Sequence, residues 1–205
     1  MIRSECIQVL KEPLTGSLVL TAAGGATHEW WNFGDNRGQL QIRTMGLASS
    51  IGLGLALALP RRQIVVLDGD GALLMNLHTL VTCAAQSPPN LLHVCFDNGI
   101  YESSGGTPTF TGSTGASLAD MARAAGVRNV RQPATLDELK DDVNDSLERQ
   151  VHTFIHVRVD PIRPKVPNIA LDEVENKYRF VRYIEETEGI SVMTGSMAGA
   201  PFKSA

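Results

Sequence analysis

The sequence predicts an α/β fold: a three-layer, doubly wound, mostly parallel sheet. Strand signals recur at 18–22, 64–67, 91–96, 127–131 and 154–159, most of them short runs rich in Val, Ile and Leu. Helical patterns near 46–58, 76–86, 117–125 and 135–148 fall between them. Alternation of this kind is the signature of repeated right-handed crossovers in a sheet covered on both faces.

Residues 18–22 are apolar apart from Thr21 and read as the first strand. Residues 46–58 carry two stripes at helical spacing, Gly46, Ser50, Gly54 and Ala58, and Ala48, Gly52 and Ala56, beside Leu47, Ile51, Leu55 and Leu59. Small side chains at i,i+4 let backbones approach closely. The Gly52-x-Gly54 fragment lies inside this helical pattern and lacks a third glycine, which excludes a dinucleotide-binding turn. A buried strand at 63–67, a helix at 76–86 and a strand at 91–96 follow, then the pairs 117–125 with 127–131 and 135–148 with 154–159. Prolines 161, 164 and 167 disfavour further strand or helix, so the sheet ends near Asp160. A last helix is expected over 171–186 and a mobile tail after it, which gives one domain over 1–186 and a tail over 187–205.

A chain of 205 residues, 43% hydrophobic, supplies a full core for one α/β domain. A net charge of -4 and the absence of any basic run longer than Arg61-Arg62 argue against nucleic acid as a partner. The most apolar stretch, 46–59, is too short and too rich in Gly, Ala and Ser to span a bilayer, and the N-terminus has no signal-peptide pattern. A soluble, cytoplasmic protein is expected. Cys6, Cys83 and Cys95 fit no metal-binding spacing and are expected as buried thiols.

The chemistry lies at two successive strand ends. Leu67-Asp68-Gly69-Asp70-Gly71-Ala72 closes one strand, and Phe96-Asp97-Asn98-Gly99 closes the next, 28 residues on from Asp70 to Asn98. A carboxylate and an amide oxygen at the carboxyl edge of one sheet can share a hard divalent cation such as Mg2+, which then carries a diphosphate.

With its surroundings, this spacing resembles the signature of thiamine-diphosphate (ThDP) enzymes. The segment Asp97-Asn98-Gly99-Ile100-Tyr101-Glu102-Ser103-Ser104-Gly105-Gly106-Thr107-Pro108-Thr109 is similar to the corresponding loop of the sulfopyruvate and phosphonopyruvate decarboxylases, and 43–56, 73–77 and 89–91 are similar to the same group. The resemblance runs over about residues 17–185. It implies the thiamine-diphosphate-binding fold and the diphosphate-binding (PP) domain of a ThDP- and Mg2+-dependent 2-oxo-acid decarboxylase.

The resemblance also implies site residues. Asp70, Asn98 and the backbone carbonyl of Ile100 would hold Mg2+; Gly69, Gly71 and Ala72 would bring backbone N–H groups to the diphosphate; Tyr101 and Glu102 would line its mouth. Met45 stands where the family places a bulky apolar side chain beneath the bent cofactor, with backbone groups of Thr44 and Gly46 beside the aminopyrimidine. Asp68 and Asp97 are expected to be structural carboxylates. In Thr21-Ala22-Ala23-Gly24-Gly25-Ala26-Thr27-His28-Glu29 the family's Lys and Arg are replaced by Gly25 and His28, and Arg43 stands where it usually has Gly. A cation suited to a phosphonate or sulfonate is thereby lost or weakened, although His28 remains a candidate for substrate contact.

The family's activating glutamate belongs to a pyrimidine-binding domain, which this chain has no room to form beside the first. The resemblance therefore implies a hetero-oligomer with an alpha-type, pyrimidine-binding chain, acting on a small 2-oxo acid. Residues 46–59 and Trp30-Trp31 are candidates for the assembly surface, and Glu29 and Glu102 for the activating acid should the chain act alone. The expected substrate is a 3-substituted pyruvate such as sulfopyruvate; the alternatives are a phosphonopyruvate decarboxylase, a carboligase subunit of acetolactate-synthase type, and a degenerate ThDP-fold scaffold or regulatory chain.

Overall fold

The computed structural model describes residues 1–34 and 36–193. Among these, six strands form one parallel sheet: β1 (Leu18–Ala22), β2 (Gln39–Ile42), β3 (Ile64–Gly69), β4 (Leu91–Asp97), β7 (Asn129–Arg131) and β8 (Thr153–Arg158), in the order β2-β1-β3-β4-β8-β7. A two-stranded antiparallel ribbon, β5 (Ile100–Tyr101) with β6 (Thr107–Pro108), stands apart. The helices are α1 (Arg3–Leu10), α2 (Gly25–Phe33), α3 (Ala48–Ala58), α4 (Asp70–Leu74), α5 (Thr79–Gln86), α6 (Phe110–Thr114), α7 (Leu118–Ala124), α8 (Leu136–Arg149) and α9 (Glu173–Glu188).

Strand alternation divides the core between the two faces. Val19, Val65, Leu67, Leu92, Val94 and Phe96 meet α1, α2 and α8 on one side. Leu18, Leu20, Ile64, Val66 and Leu91 meet α3, α5 and α9 on the other, while Cys95 and Phe154 pack with α7. Burial on both faces explains why these strands read as continuous apolar runs.

Several elements depart from expectation. The strand β2 was not anticipated, because Gln39-Leu40-Gln41-Ile42 is half polar; Gln39 is buried as a donor to Thr21 and to the Thr27 carbonyl. The outer edge of β2 is covered by Asn176 of α9, which accepts from the Gln41 N–H and donates to the Gln39 carbonyl. The expected helix at 76–86 starts at Thr79, and a separate helical turn, α4, begins at Asp70 itself. The helix expected from 46 starts at Ala48, since Gly46 turns at φ +84°. The last helix runs to Glu188 and ends at Gly189 in the left-handed conformation, two residues past the predicted domain end. Most of the predicted tail lies outside the described residues.

The small-residue stripe Ala48, Gly52, Ala56 packs inside the chain on β3, whereas Leu47 and Leu57 point outward. Trp30 is fully buried and so is not an assembly surface; Trp31 is half-buried beneath the Arg179 guanidinium. Cys6, Cys83 and Cys95 are buried free thiols. No helix among the described residues is long and apolar enough to cross a membrane.

Candidate cofactor site

The strand order reverses between β1 and β3, and their carboxyl ends diverge there into separate loops. Such a switch point opens a crevice in a doubly wound sheet. It holds a cavity of about 330 Å³ lined from β1, β3 and β4 and from the loops that follow them.

At its floor β3 passes directly into α4 through Gly69 and Asp70. The Asp70 carboxylate is buried, and its Oδ2 accepts from Thr109 Oγ1 at 2.6 Å and Thr111 Oγ1 at 3.0 Å. Thr111 Oγ1 also lies 3.0 Å from Asp97 Oδ1. Asp97 Oδ2 in turn meets His156 Nε2 at 2.8 Å and Arg158 at 3.3 Å. Two hydroxyls carry two protons, yet they make three contacts with carboxylate oxygens. Burial, together with the Asp97 charge, raises the Asp70 pKa against those hydrogen bonds. Burial also works against the Asp97 charge, but His156, Arg158 and Thr111 outweigh it and hold its pKa down. Asp70 Oδ1 accepts from no side chain among the described residues.

Asn98 is oriented from two sides. Its Oδ1 accepts from the Ile100 N–H at 3.0 Å, and its Nδ2 donates to Glu102 Oε1 at 2.6 Å. Glu102 is held by Arg3, whose guanidinium is buried between Glu102 and Glu29. The Arg3 guanidinium occupies the space that a side chain at position 25 would need: a Cβ there would come within 1.9 Å of Nη2. Gly71 makes similar room for the Tyr101 ring, which a Cβ would approach to 2.4 Å. Asp68, at the end of β3, also touches the cavity, and its carboxylate is bonded to His93 and to the Gly69 N–H.

Met45 is half-buried on the wall and packs against the β1–β3 core. The Gly46 carbonyl accepts from Asn76 Nδ2 at 2.7 Å, which pins this turn to the loop after α4. His28, on α2, also lines the cavity, and its Nδ1 is buried without a partner among the described residues. Burial and then the charges of Arg43 and Arg163 lower its pKa, with Glu29 opposing.

The sequence profile of the thiamine pyrophosphate enzymes' C-terminal TPP-binding domain matches residues 24–157. The chain belongs to this family. The match embraces Met45, Asp70 and Asn98, and the cofactor of the family is thiamine diphosphate. Sulfopyruvate decarboxylase subunit beta of Methanothermobacter thermautotrophicus is 39% identical over 185 residues, covering 89% of this chain and 95% of that protein. Phosphonopyruvate decarboxylase of Streptomyces hygroscopicus is 36% identical over 180 residues, 84% of this chain but 43% of that one, so the chain spans less than half its length. Among solved structures, the thiamine diphosphate-dependent 4-hydroxybenzoylformate decarboxylase of Rhodococcus jostii RHA1 superposes with a TM-score of 0.68 at 17% identity, over 80% of this chain and 33% of that one. At this identity the likeness is one of fold.

Of the residues marked in the sequence, His28, Met45, Gly69, Asp70, Gly71, Ala72, Asn98, Ile100, Tyr101 and Glu102 share this one crevice. Thr44 is exposed and Gly46 buried, both off the wall. Sequence reasoning missed Arg3, Thr109, Thr111 and Arg163. Thr109 closes the 97–109 segment and Thr111 lies two residues beyond it, which was a usable signal; Arg3, 99 residues from Glu102, had none.

Proposed function

We propose that this chain is the diphosphate-binding, beta-type subunit of a two-chain non-oxidative 2-oxo-acid decarboxylase whose substrate is a 3-substituted pyruvate such as sulfopyruvate. The observation that carries this is the likeness over nearly the full length of a protein named as the beta subunit of sulfopyruvate decarboxylase. Phosphonopyruvate is the second substrate to test, given the relative of that name.

When bound, thiamine diphosphate supplies an electron sink for the pair left behind as CO2 departs. The residues fit it. Asp70, Asn98 and the Ile100 carbonyl are hard oxygen donors of the kind Mg2+ takes together with phosphate oxygens, and a single carboxylate suffices in such a shell. The raised pKa of Asp70 marks a buried charge that a cation would satisfy. Arg3 and Glu102 orient Asn98, Met45 offers an apolar support, and the Gly69–Ala72 turn opens the floor for a diphosphate.

The activating acid is assigned to an alpha-type, pyrimidine-binding partner. Glu29 and Glu102, the carboxylates considered for that role, are both committed to Arg3, and Asp68 to His93. The relatives' designation as subunit beta supports the same reading.

The test is co-purification of the native complex, followed by assay of CO2 and carbonyl product from sulfopyruvate, phosphonopyruvate and pyruvate with ThDP and Mg2+. Aldehyde release by the complex and none by the isolated chain is expected. Acyloin as the main product would replace the decarboxylase with a carboligase, and turnover by the chain alone would remove the split site.

A further inference from the structure

Three cationic or imidazole side chains from distant parts of the chain meet on the wall of the cavity away from the Asp70–Asn98 floor. His28 comes from α2, after β1; Arg43 follows β2; Arg163 lies on the proline-rich strap after β8. That strap crosses back over α2, where Asn32 Nδ2 donates to the Pro167 carbonyl at 3.0 Å. It thereby carries a residue from the β8 side of the sheet to the β1–β2 side.

We propose that Arg43, Arg163 and His28 form the subsite for a tetrahedral oxyanion, a sulfonate or phosphonate, on the far end of the substrate. This rests on the 2-oxo-acid reading of the same cavity and adds which residues select the acid.

Charge separates the two ends of the cavity. The acids that line it, Asp68 at the end of β3, Asp70 just after it and Glu102 after β4, are engaged by His93, the two threonines and Arg3. Two to three strand spacings, roughly 10–14 Å, separate β2 from those strands. At the other end the cations keep unused donors. Arg43 spends Nε on Glu173 at 2.8 Å, while Arg163 makes no hydrogen bond or ion pair among the described residues. Guanidinium groups match tetrahedral oxyanions in geometry as well as charge. The buried Nδ1 of His28 needs an acceptor or donor that the described residues do not provide. All three side chains line the one cavity, and burial followed by the Arg43 and Arg163 charges lowers the His28 pKa. Arg3 cannot serve instead, since Glu29 and Glu102 occupy it.

Arg43 and Arg163 are exposed, so Arg43→Gln and Arg163→Gln should fold as the parent does. In the assembled enzyme each should lower kcat/KM for the anionic 2-oxo acid about ten- to hundredfold, mainly through KM, while pyruvate changes less than about twofold. Sulfopyruvate and phosphonopyruvate assayed in parallel decide between the two oxyanions. Glu173→Gln, which frees Arg43, should not weaken the anionic substrate. A readout independent of turnover is the His28 ring proton shift of the ThDP- and Mg2+-loaded complex on titration with unreactive 3-sulfopropanoate, with butanoate as the uncharged-end control. Saturable 3-sulfopropanoate shifts that weaken in both variants, without decarboxylation of any acid, would sustain the subsite and sink the decarboxylase reading. Decarboxylation whose kcat/KM falls equally for the acids with a far-end oxyanion and for pyruvate, or no selective 3-sulfopropanoate shift, would overturn the subsite.

Discussion

Replacing Thr111 by valine removes the hydroxyl shared by the two buried carboxylates while keeping a branched side chain of similar size. In the native chain that hydroxyl stands 3.0 Å from Asp70 Oδ2 and 3.0 Å from Asp97 Oδ1. Its loss leaves Asp70 with the Thr109 hydroxyl as its side-chain donor, and Asp97 Oδ1 with the Gly99 N–H at 3.1 Å. A hydrogen bond to a charged group contributes about 1.5–3 kcal/mol, so Thr111→Val should destabilise the cofactor-free chain by about 2 kcal/mol and lower Tm by roughly 4–8 °C. The same change leaves less to hold the Asp70 carboxylate ionised and in place, so ThDP affinity in the presence of Mg2+ should fall at least about tenfold. Thr111→Ser keeps the hydroxyl and should recover most of both losses. Thermal unfolding by circular dichroism without cofactor, and calorimetric titration with ThDP and Mg2+, measure the two effects. Tm within 1 °C of the parent together with unchanged affinity would show that the hydroxyl bridge carries no weight, and that Asp70 is positioned by its backbone alone.

Asp70→Ala should abolish Mg2+-dependent ThDP binding, and Asn98→Ala should weaken it less because a neutral amide contributes less than a carboxylate; calorimetry on variants with a native far-UV spectrum checks the order. Met45→Ala should lower turnover of the complex more than cofactor affinity, since it leaves the diphosphate anchor in place, whereas equal losses would indicate collapse of the adjoining core, at about 2–5 kcal/mol. His152 is buried, and burial together with the His93 charge pushes its pKa down to about 4 from an ordinary value of 6.5. Between those values the unfolded chain binds a proton that the native chain refuses, so stability should fall as pH drops below about 6.5 and level off below about 4, losing about 2 kcal/mol by pH 5 and about 3 in all. Urea midpoints at pH 7.5 and 5.0 should therefore diverge less in His152→Gln than in the parent; parallel behaviour would rule out this residue as the source.

The parts of the site legible in the sequence are those built from short, local rules. Asp70 and Asn98 each close an apolar strand, and a parallel sheet places consecutive strand ends on one edge; here β3 and β4 are direct neighbours. The flanking Gly and Asn residues of 97–106 marked the loop for the same local reason. Strand β2 escaped because Gln39 Nε2 donates to Thr21 and Thr27 while Asn176 bonds the backbone of Gln39 and Gln41, contacts spanning 12 to 137 residues that no window of sequence reports.

The sequence by itself determined the fold class and the cofactor family and marked the loop proposed to meet a metal, because strand periodicity, turn chemistry and motif spacing act over a few residues. Only the tertiary structure decided that Arg3 fills the space beside Gly25 and consumes the carboxylates Glu29 and Glu102. It alone tied Asp70 to Asp97 through one threonine, and brought Arg163 across the sheet to join Arg43 and His28. Those pairings bring together charges up to 135 positions apart in the chain. Their strength depends on burial and distance, and both are properties of the folded molecule.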